Sequence, residues 1–278
     1  MAGTLFVVST PIGNLEDMTQ RALRVLSEVD VVAAEDTRRS GVMLDALGIK
    51  ARLVSCHDHN EDERSGQLVA QILQGQSVAL ISDAGTPLVS DPGYRLVRAC
   101  QQAGIEVVPV PGASAVLAAL AVAGLPTDRF LFEGFLPSKG GAREEALSKV
   151  LAHSTTTVLF EAPHRLLSLL GSMEAAGAGE REITLCRELT KRFETVIRST
   201  VSALRERVAE DADQQKGEVV LVLAGATPGQ ARDAELEPLA RLLLAELPVS
   251  RAARVLASVS GRKRQAVYDW LEQLSAGG

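Results

Sequence analysis

The segment Leu80–Gly93 places two carboxylates in a loop rich in turn-forming residues. It reads LISDAGTPLVSDPG, and Asp83 and Asp91 are its only charged residues. Phosphate-binding loops follow GxxxxGK[ST] or GxGxxG patterns, and neither occurs in this segment. Because two carboxylates repel an anion, the loop predicts an uncharged or cationic ligand with hydroxyl donors. Each aspartate alone is more typical of a helix or turn cap, so the prediction rests on the loop as a whole.

Ionisable side chains elsewhere could accept a proton from a weak oxygen nucleophile. A positioned base of this kind accelerates a reaction by about 10²–10⁴-fold. The candidates are Glu35, Asp36, His57, His59 and Glu161. Glu35 and Asp36 have an equally good alternative role, an ion pair with a neighbouring arginine, and Glu161 could instead stand at a helix start.

The two histidines also raise the possibility of a metal site. On an extended segment His57 and His59 share a face, and Glu61 could add a third ligand. The sequence contains no further ligand cluster nearby, so we expect no metal.

The composition is typical of a soluble globular protein with one large or two ordinary domains. The chain has 278 residues, 46% apolar residues and a net charge of −6. Its apolar runs are too short to cross a bilayer, and no basic segment precedes the first, so we expect neither a membrane span nor a signal peptide. Three widely spaced cysteines form no zinc or disulfide pattern, which favours a reducing, cytoplasmic environment.

Residues 1–125 alternate short β-branched runs with amphipathic segments, which predicts an α/β domain with a mainly parallel sheet. The predicted strands are Leu5–Ser9, Val31–Ala34, Arg52–Val54, Val78–Ser82 and Val107–Val110. The predicted helices are Thr19–Val29, Glu61–Leu73, Tyr94–Ala103 and Ser114–Ala123. Ligands of such sheets bind at the carboxyl ends of the strands. Polar and small residues follow all five strands, and two of the loops concentrate ionisable groups, so we expect the site at that edge.

The sequence of residues 126–229 predicts a second α/β domain. Its sheet is expected to be mixed, because the spacing of its strands is more typical of β-hairpins than the spacing in residues 1–125. Its predicted strands are Phe130–Phe135, Thr155–Phe160, Ile183–Arg187, Phe193–Arg198 and Val219–Leu223. Its predicted helices are Arg143–Leu151, His164–Ala175 and Val201–Ala209.

A polar linker, Thr227–Glu235, leads into a third unit, residues 230–278. The helical patterns there are Leu236–Leu247, Arg251–Val259 and Arg264–Leu274, and the break at Ser260-Gly261 gives a helix-turn-helix outline.

Several motifs in this order resemble the tetrapyrrole methylase superfamily. They are Thr10–Leu15 (TPIGNL), Ala34–Arg38 (AEDTR), Ser82–Pro87 (SDAGTP) with Ser90–Gly93 (SDPG), Pro109–Ser114 (PVPGAS), Phe132–Pro137 (FEGFLP), Phe160–Arg165 (FEAPHR) and Cys186–Lys191 (CRELTK). Within the superfamily, the match is to the branch that methylates a cytidine ribose 2′-hydroxyl in small-subunit ribosomal RNA. The first loop is not glycine-rich as in the tetrapyrrole-specific members, which favours the RNA branch. The chain has HDHN at His57–Asn60 where many relatives have HEHN.

The resemblance implies a two-domain fold, a homodimer, and S-adenosylmethionine held in the cleft between the domains. This cofactor also agrees with the charge of the Leu80–Gly93 loop, although charge alone does not separate it from a neutral nucleoside. The cofactor-binding residues implied are Pro11, Asp83, Ala84, Gly85, Thr86, Pro87, Ser114, Ala115, Phe160, Ala224 and Gly225.

Basic residues predict contacts with an RNA backbone. Candidates on the rim of the site are Arg38, Arg39, Arg165, Lys191 and Arg192. Candidates in the third unit are Arg251, Arg254, Arg262, Lys263 and Arg264, with no acidic residue among positions 251–264. For any single arginine, ordinary solvated surface is the better interpretation. Trp270 is expected to pack in the small core of the third unit.

The resulting hypothesis is a cytoplasmic S-adenosylmethionine-dependent methyltransferase acting on a ribose 2′-hydroxyl of small-subunit (16S) ribosomal RNA, free or within the 30S subunit. Two alternatives remain open. One is a carbon methyltransferase of tetrapyrrole precursors on the same scaffold, which would leave the basic C-terminal helices without a role. The other is a non-catalytic RNA-binding assembly factor that has kept the pocket.

Overall fold

The first domain is built on five parallel strands. The computed structural model describes residues 2–276, with the backbone alone for 228–235 and 276. The strands are β1 (Thr4–Val8), β2 (Val31–Ala34), β3 (Leu53–Ser55), β4 (Val78–Ile81) and β5 (Glu106–Val110), in the order β3-β2-β4-β1-β5. Every residue of β2 and β4 is buried, as expected for central parallel strands covered on both faces.

Five helices follow these strands. They are α1 (Gln20–Glu28), α2 (Thr37–Ala46), α3 (Glu61–Leu73), α4 (Tyr94–Gln102) and α5 (Ala115–Ala123). Helices α1 and α2 pack on one face of the sheet, and α3 and α4 pack on the other. The side chains of Thr19, Asp36 and Ser114 accept backbone N–H groups at the starts of α1, α2 and α5, which fixes where these helices begin.

The second domain contains a mixed sheet. Its strands are β6 (Phe130–Phe135), β7 (Thr156–Glu161), β8 (Glu182–Arg187), β9 (Thr195–Thr200) and β10 (Val219–Leu223), in the order β6-β7-β10-β8-β9. Strands β6 and β7 are parallel, and the other neighbours are antiparallel. One face is covered by α6 (Gly141–Ala152), α7 (Leu166–Met173) and α8 (Val201–Glu210).

Helix α5 joins the two domains, because it covers the other face of the second sheet. Val116, Leu120 and Ala123 of α5 share a buried cluster with Val158 of β7 and Val222 of β10. The two domains therefore meet through a continuous apolar interface, which fixes the cleft between their sheets.

The C-terminal unit consists of α9 (Pro228–Glu246), α10 (Val249–Ser260) and α11 (Arg264–Ala276). Ala240, Ala252, Leu256 and Val267 are buried in its own small core. Gly261, with φ of 68°, ends α10 in the left-handed conformation and allows the turn into α11. Helix α9 contacts α6, so the unit is attached to the second domain.

The α/β class, the parallel first sheet, the mixed second sheet and the helical third unit are confirmed. Two local predictions were wrong. The segment after β2, interpreted as a loop, forms α2, because Asp36 caps it and Leu44 anchors it in the core. Residues from Pro228 onward, predicted as part of a polar linker, begin α9. The domain limits at 125 and 229 stay predictions, and residues 277 and 278 of the third unit lie outside the described residues.

Candidate active site

A cavity of about 370 Å³ lies between the two domains, a size typical of small-ligand sites. The first domain contributes Ile12, Ala84, Gly85, Thr86, Val89, Ser90, Asp91, Ser114, Ala115 and Val116. The second domain contributes Phe135, Phe160, Glu161, Ala162, Pro163, Gly217, Glu218, Val219 and Val220. Its lining is mainly apolar, with a few polar groups, and this favours a ligand that is buried and oriented rather than loosely held.

Three loops at the carboxyl ends of β1, β4 and β5 are tied together below the cavity. The Thr10 and Gly85 backbones exchange two hydrogen bonds, with N···O distances of 2.8 and 3.0 Å. The Ser9 and Thr86 hydroxyls lie 3.0 Å apart, and the Thr86 hydroxyl donates to the Ala113 carbonyl at 3.2 Å. The parallel sheet thus presents one connected floor at the edge where ligands of such sheets bind.

The loop after β4 is held in an unusual backbone conformation. Gly85 and Gly93 have φ of 84° and 126°, and the non-glycine residues Leu88 and Ser90 have φ of 74° and 64°. Each such non-glycine residue costs about 1–3 kcal/mol and persists where the surroundings fix it. Leu88 is fixed by packing against the apolar core between the first sheet and helices α3 and α4. Ser90 lies against Gly134 at the bulge in β6. Backbone strain is therefore concentrated beside the cavity.

The second domain contributes the end of β7 and the beginning of β10. These meet because β10 runs antiparallel to β7, with Val219 opposite Glu161 and Val220 opposite Phe160. The carboxyl end of β10 therefore points away from the cavity. Ala224 and Gly225 lie at that far end, and the missing Gly225 side chain makes room for the Ser154 carbonyl.

Of the predicted cofactor-binding residues, six line the cavity: Ala84, Gly85, Thr86, Ser114, Ala115 and Phe160. Pro11 and Pro87 are buried behind the lining, and Asp83 binds neighbouring protein groups. Ala224 and Gly225 do not line the cavity, whereas Gly217–Val220 do. The direction of β10 determines which of its ends faces the cavity. The local sequence does not encode that direction.

Asp83 connects the loop after β4 to the start of α2. Its carboxylate accepts the Asp36 backbone N–H at 3.1 Å and pairs with Arg39 at 2.8 Å. The Glu35 carboxylate accepts the Asp83 N–H at 3.4 Å, and burial raises the Glu35 pKa above its ordinary value. Glu35 is thus adjacent to the floor but is not part of the cavity lining.

Asp36 forms an ion pair with a neighbouring arginine, the alternative to a catalytic role that the sequence left open. It caps α2 and pairs with the Arg38 guanidinium at 2.9 Å. The hydrogen bond from the Arg38 side chain lowers the Asp36 pKa to about 2. A carboxylate that holds its proton so weakly is a poor proton acceptor.

Glu161 lines the cavity, but its buried carboxylate is bound to two arginines. Arg165 Nε lies 2.9 Å from Oε1, and an Arg143 nitrogen lies 3.8 Å from Oε2. The Ala162 N–H also donates to Oε1 at 2.8 Å. Arg165, predicted to face RNA, is instead mostly buried and donates to the Leu136 carbonyl at 2.8 Å. The sequence did not point to Arg143, which lies far from Glu161 along the chain.

The histidine segment is organised around helix α3. Asn60 Oδ1 accepts the His57 backbone N–H at 2.9 Å, and the His57 and His59 rings lie 6.0 Å apart. Glu61 is buried and accepts the backbone N–H groups of Gly93 and Arg95 at 3.0 and 2.8 Å. Among the described residues, no group of three potential ligands could hold a metal ion.

The remaining basic residues near the cavity differ in their surroundings. Arg38 and Arg39 are exposed at the start of α2. Lys191 pairs with Glu188 at 2.7 Å and with Glu218 at 3.0 Å. Arg192 lies over the Phe193 ring at 5.5 Å from its centre and is exposed.

In the C-terminal unit, Arg251, Arg254, Lys263 and Arg264 are exposed on α10 and at the following turn. Arg262 lies over Trp270, 5.6 Å from the ring centre. Trp270 packs against the small core, which confirms the sequence prediction.

The sequence-based site omitted 12 of the 19 residues that line the cavity. The omitted residues are Ile12, Val89, Ser90, Asp91, Val116, Phe135, Ala162, Pro163 and Gly217–Val220. Asp91 and Ser90 belong to the loop that the sequence singled out, so their position was available as a signal. The apolar members gave no signal, because an apolar residue that lines a cavity resembles one that fills a core.

The fold and the matched family model define the class of protein. Residues 4–205 match the model of the Tetrapyrrole (Corrin/Porphyrin) Methylases, and residues 230–275 match that of the RsmI C-terminal HTH domain. Among solved structures, the chain is similar to uroporphyrin-III C-methyltransferase from Thermus thermophilus, with a TM-score of 0.57 and 23% identity over 84% of this chain and 97% of that one. A structure of the Thermus enzyme complexed with S-adenyl homocysteine gives a TM-score of 0.56 at 20% identity, over 80% of this chain and 97% of that one.

Curated relatives match along the whole chain. Ribosomal RNA small subunit methyltransferase I of Pseudomonas aeruginosa is 50% identical over 96% of both chains. Its counterpart from Escherichia coli O157:H7 is 48% identical over 98% of this chain and 96% of its own. The chain therefore belongs to the ribosomal RNA small subunit methyltransferase I family, within the tetrapyrrole methylases.

None of the helices in the described part of the chain combines the length and the apolar character that a bilayer crossing requires.

Proposed function

We propose that this protein transfers a methyl group from S-adenosylmethionine to small-subunit ribosomal RNA. The observation that supports this most strongly is the match to ribosomal RNA methyltransferases over 96% of both chains, which includes the basic C-terminal unit. We further propose that the acceptor is the 2′-hydroxyl of a cytidine, in agreement with the motifs in the sequence.

The cavity fits S-adenosylmethionine in size and in chemistry. Its volume of about 370 Å³ lies in the range of small-ligand sites, and the Gly85 loop and the start of α5 form part of its lining. Phe160 packs edge-to-face against Phe132 and Phe135, with ring centres 5.0 and 5.5 Å apart, and provides an aromatic wall for adenine. When bound, the cofactor supplies a methyl group already activated on a sulfonium.

The protein's own contribution is alignment and exclusion of water. Ile12, Val89, Val116 and Val219 make the lining apolar, which keeps water away from the methyl group. The strained loop after β4 is fixed against both domains, so the cavity keeps its shape without the ligand. Glu35 and Asp36 contact this loop through Asp83 from outside the lining, and His57 lies next to the start of α3.

We propose that RNA is bound by two basic surfaces. The first contains Arg38 and Arg39 near the cavity. The second contains Arg251 and Arg254, which lie three residues apart on one face of α10, together with the turn at Lys263. These exposed cations suit the phosphate backbone, which binds without sequence selectivity.

The remaining predictions concern assembly and location. We propose a homodimer, as the family resemblance implies, and a cytoplasmic reaction, since the substrate is ribosomal RNA. We also retain the domain limits 1–125, 126–229 and 230–278.

The alternatives predict different substrates. A tetrapyrrole carbon methyltransferase would use the same cavity and leave the C-terminal unit without a role. A non-catalytic assembly factor would bind RNA and the cofactor without turnover. The C-terminal helices favour the RNA enzyme, because residues 230–275 match the RsmI C-terminal HTH domain.

The test is transfer of labelled methyl groups to small subunits purified from a strain that lacks the modification. We expect label in the RNA, located at a ribose by nuclease digestion and mass spectrometry. Label on a base would contradict the 2′-hydroxyl assignment. Absence of transfer to both free RNA and assembled subunits would reject the proposed function.

A further inference from the structure

Three carboxylates line the cavity: Asp91, Glu161 and Glu218. Glu161 is neutralised by Arg165 at 2.9 Å, and Glu218 is paired with Lys191 at 3.0 Å. No lysine or arginine forms an ion pair with Asp91 among the side chains that the structure describes. Among the described residues, Asp91 is therefore the lining carboxylate that no cation neutralises, and beyond its hydrogen bond with Ser82 it can accept a further one from a ligand.

From this juxtaposition we propose that Asp91 is the catalytic residue that accepts the proton of the RNA hydroxyl during methyl transfer. The inference rests on the proposed function. It replaces none of the supporting roles described for Glu35 and Asp36, which lie outside the lining.

The position of Asp91 is fixed by its place in the chain. It lies between Ser90, with φ of 64°, and the Pro92-Gly93 turn that starts α4, where Gly93 has φ of 126°. A side chain added at Gly93 would overlap Leu80, so this turn lies directly against the core. A proton acceptor on a fixed backbone can be aligned with the acceptor oxygen before reaction.

The surroundings of Asp91 favour proton uptake. Burial is the largest effect and raises its pKa to about 6, while a hydrogen bond from Ser82 acts in the opposite direction. The carboxylates of Glu35, Asp83 and Asp58 face it and raise the pKa further. The Asp83 carboxylate is itself paired with Arg39 at 2.8 Å. A base with a pKa near the working pH combines availability with proton affinity.

The step balances without another reactant. The ribose 2′-oxygen forms a bond to the methyl carbon while the bond from that carbon to the sulfonium sulfur breaks. The bonding pair stays on sulfur, and S-adenosylhomocysteine leaves. The hydroxyl proton moves to the Asp91 carboxylate, which later returns it to water.

The test compares Asp91→Asn and Asp91→Glu with the wild-type protein. For Asp91→Asn we expect kcat to fall by about 10²–10⁴-fold, the range for loss of a general base. The calorimetric affinity for S-adenosylhomocysteine should change by less than about threefold, since the proton acceptor acts in the transition state. Asp45→Asn, an exposed position on α2, serves as the matched control and should keep wild-type kcat.

The pH profile distinguishes catalysis from folding. Asp91 accepts a proton only when ionised, so wild-type kcat should rise with pH up to about 6 and then level off. Asp91→Glu should retain this rise with reduced kcat, and Asp91→Asn should lose it. Carboxyl ¹³C NMR of the free protein should show one group titrating near pH 6 that is missing in Asp91→Asn.

Several results would overturn the proposal. One is a wild-type kcat and pH profile in Asp91→Asn, which would leave the RNA methyltransferase function intact. A second is loss of S-adenosylhomocysteine affinity equal to the loss of kcat, which would make Asp91 a cofactor ligand. A third is a pH-dependent rise that persists while the Asp91 carboxyl titrates at its ordinary pKa of about 4. A wild-type protein that methylates no RNA would reject the proposed function and this inference together.

Discussion

Replacing Glu161 with glutamine should destabilise the second domain strongly. The Glu161 side chain is 0% exposed, and its arginine partners, Arg143 and Arg165, are 9% and 20% exposed. Removing one partner of a buried ion pair leaves uncompensated charge and costs about 3–5 kcal/mol. For a chain of this length, that corresponds to a fall in Tm of about 5–9 °C.

The assay is thermal unfolding followed by circular dichroism, with Glu145→Gln as the matched control. Glu145 forms a helix-surface pair with Lys149 and its side chain is 70% exposed, so its replacement should cost less than about 0.5 kcal/mol. Wild-type Tm in Glu161→Gln would refute the stabilising role. A large fall in kcat with an unchanged Tm would instead assign Glu161 a role in the chemistry, as the sequence predicted.

Three further variants probe the cavity, the packing and the RNA surface. Gly85→Val should weaken S-adenosylmethionine binding, measured by calorimetry, by about tenfold or more. Gly85 has φ of 84°, and its added side chain would contact Ile12. The control is Gly104→Val, which has φ of 69° and no neighbour within 4 Å and should leave the affinity unchanged. Gly225→Ala should lower the stability by about 1–3 kcal/mol in urea titrations, through overlap with the Ser154 backbone, without changing cofactor affinity. Arg254→Ala should reduce the slope of log affinity for RNA against log salt by about 0.7–0.9, and an unchanged slope would remove Arg254 from the RNA surface.

Much of the architecture was predictable because its causes are local. The first half alternates β-branched runs and amphipathic segments, and this pattern alone favours a parallel sheet. Loop chemistry was equally informative, since six of the predicted cofactor residues line the cavity. Helix α2 was not predicted, because its first turn, Thr37–Ser40, is polar and Gly41 interrupts the pattern. Its formation depends on the Asp36 cap and on Asp83, which lies in another loop.

The rest depends on contacts between distant parts of the chain. The antiparallel direction of β10 brings Gly217–Val220 to the cavity and moves Gly225 away from it. The burial of Arg165 depends on Glu161 at the end of β7 and on the Leu136 carbonyl. Residue type alone cannot distinguish such an arginine from one that faces solvent or RNA.

We propose that S-adenosylmethionine binds in the cavity between the two domains. A crystal structure of the protein with S-adenosylhomocysteine tests it most directly. We expect density between the Gly85 loop and the first residues of β10, with the adenine beside Phe160. Density at the far end of β10, near Ala224-Gly225, or outside the cleft would contradict it.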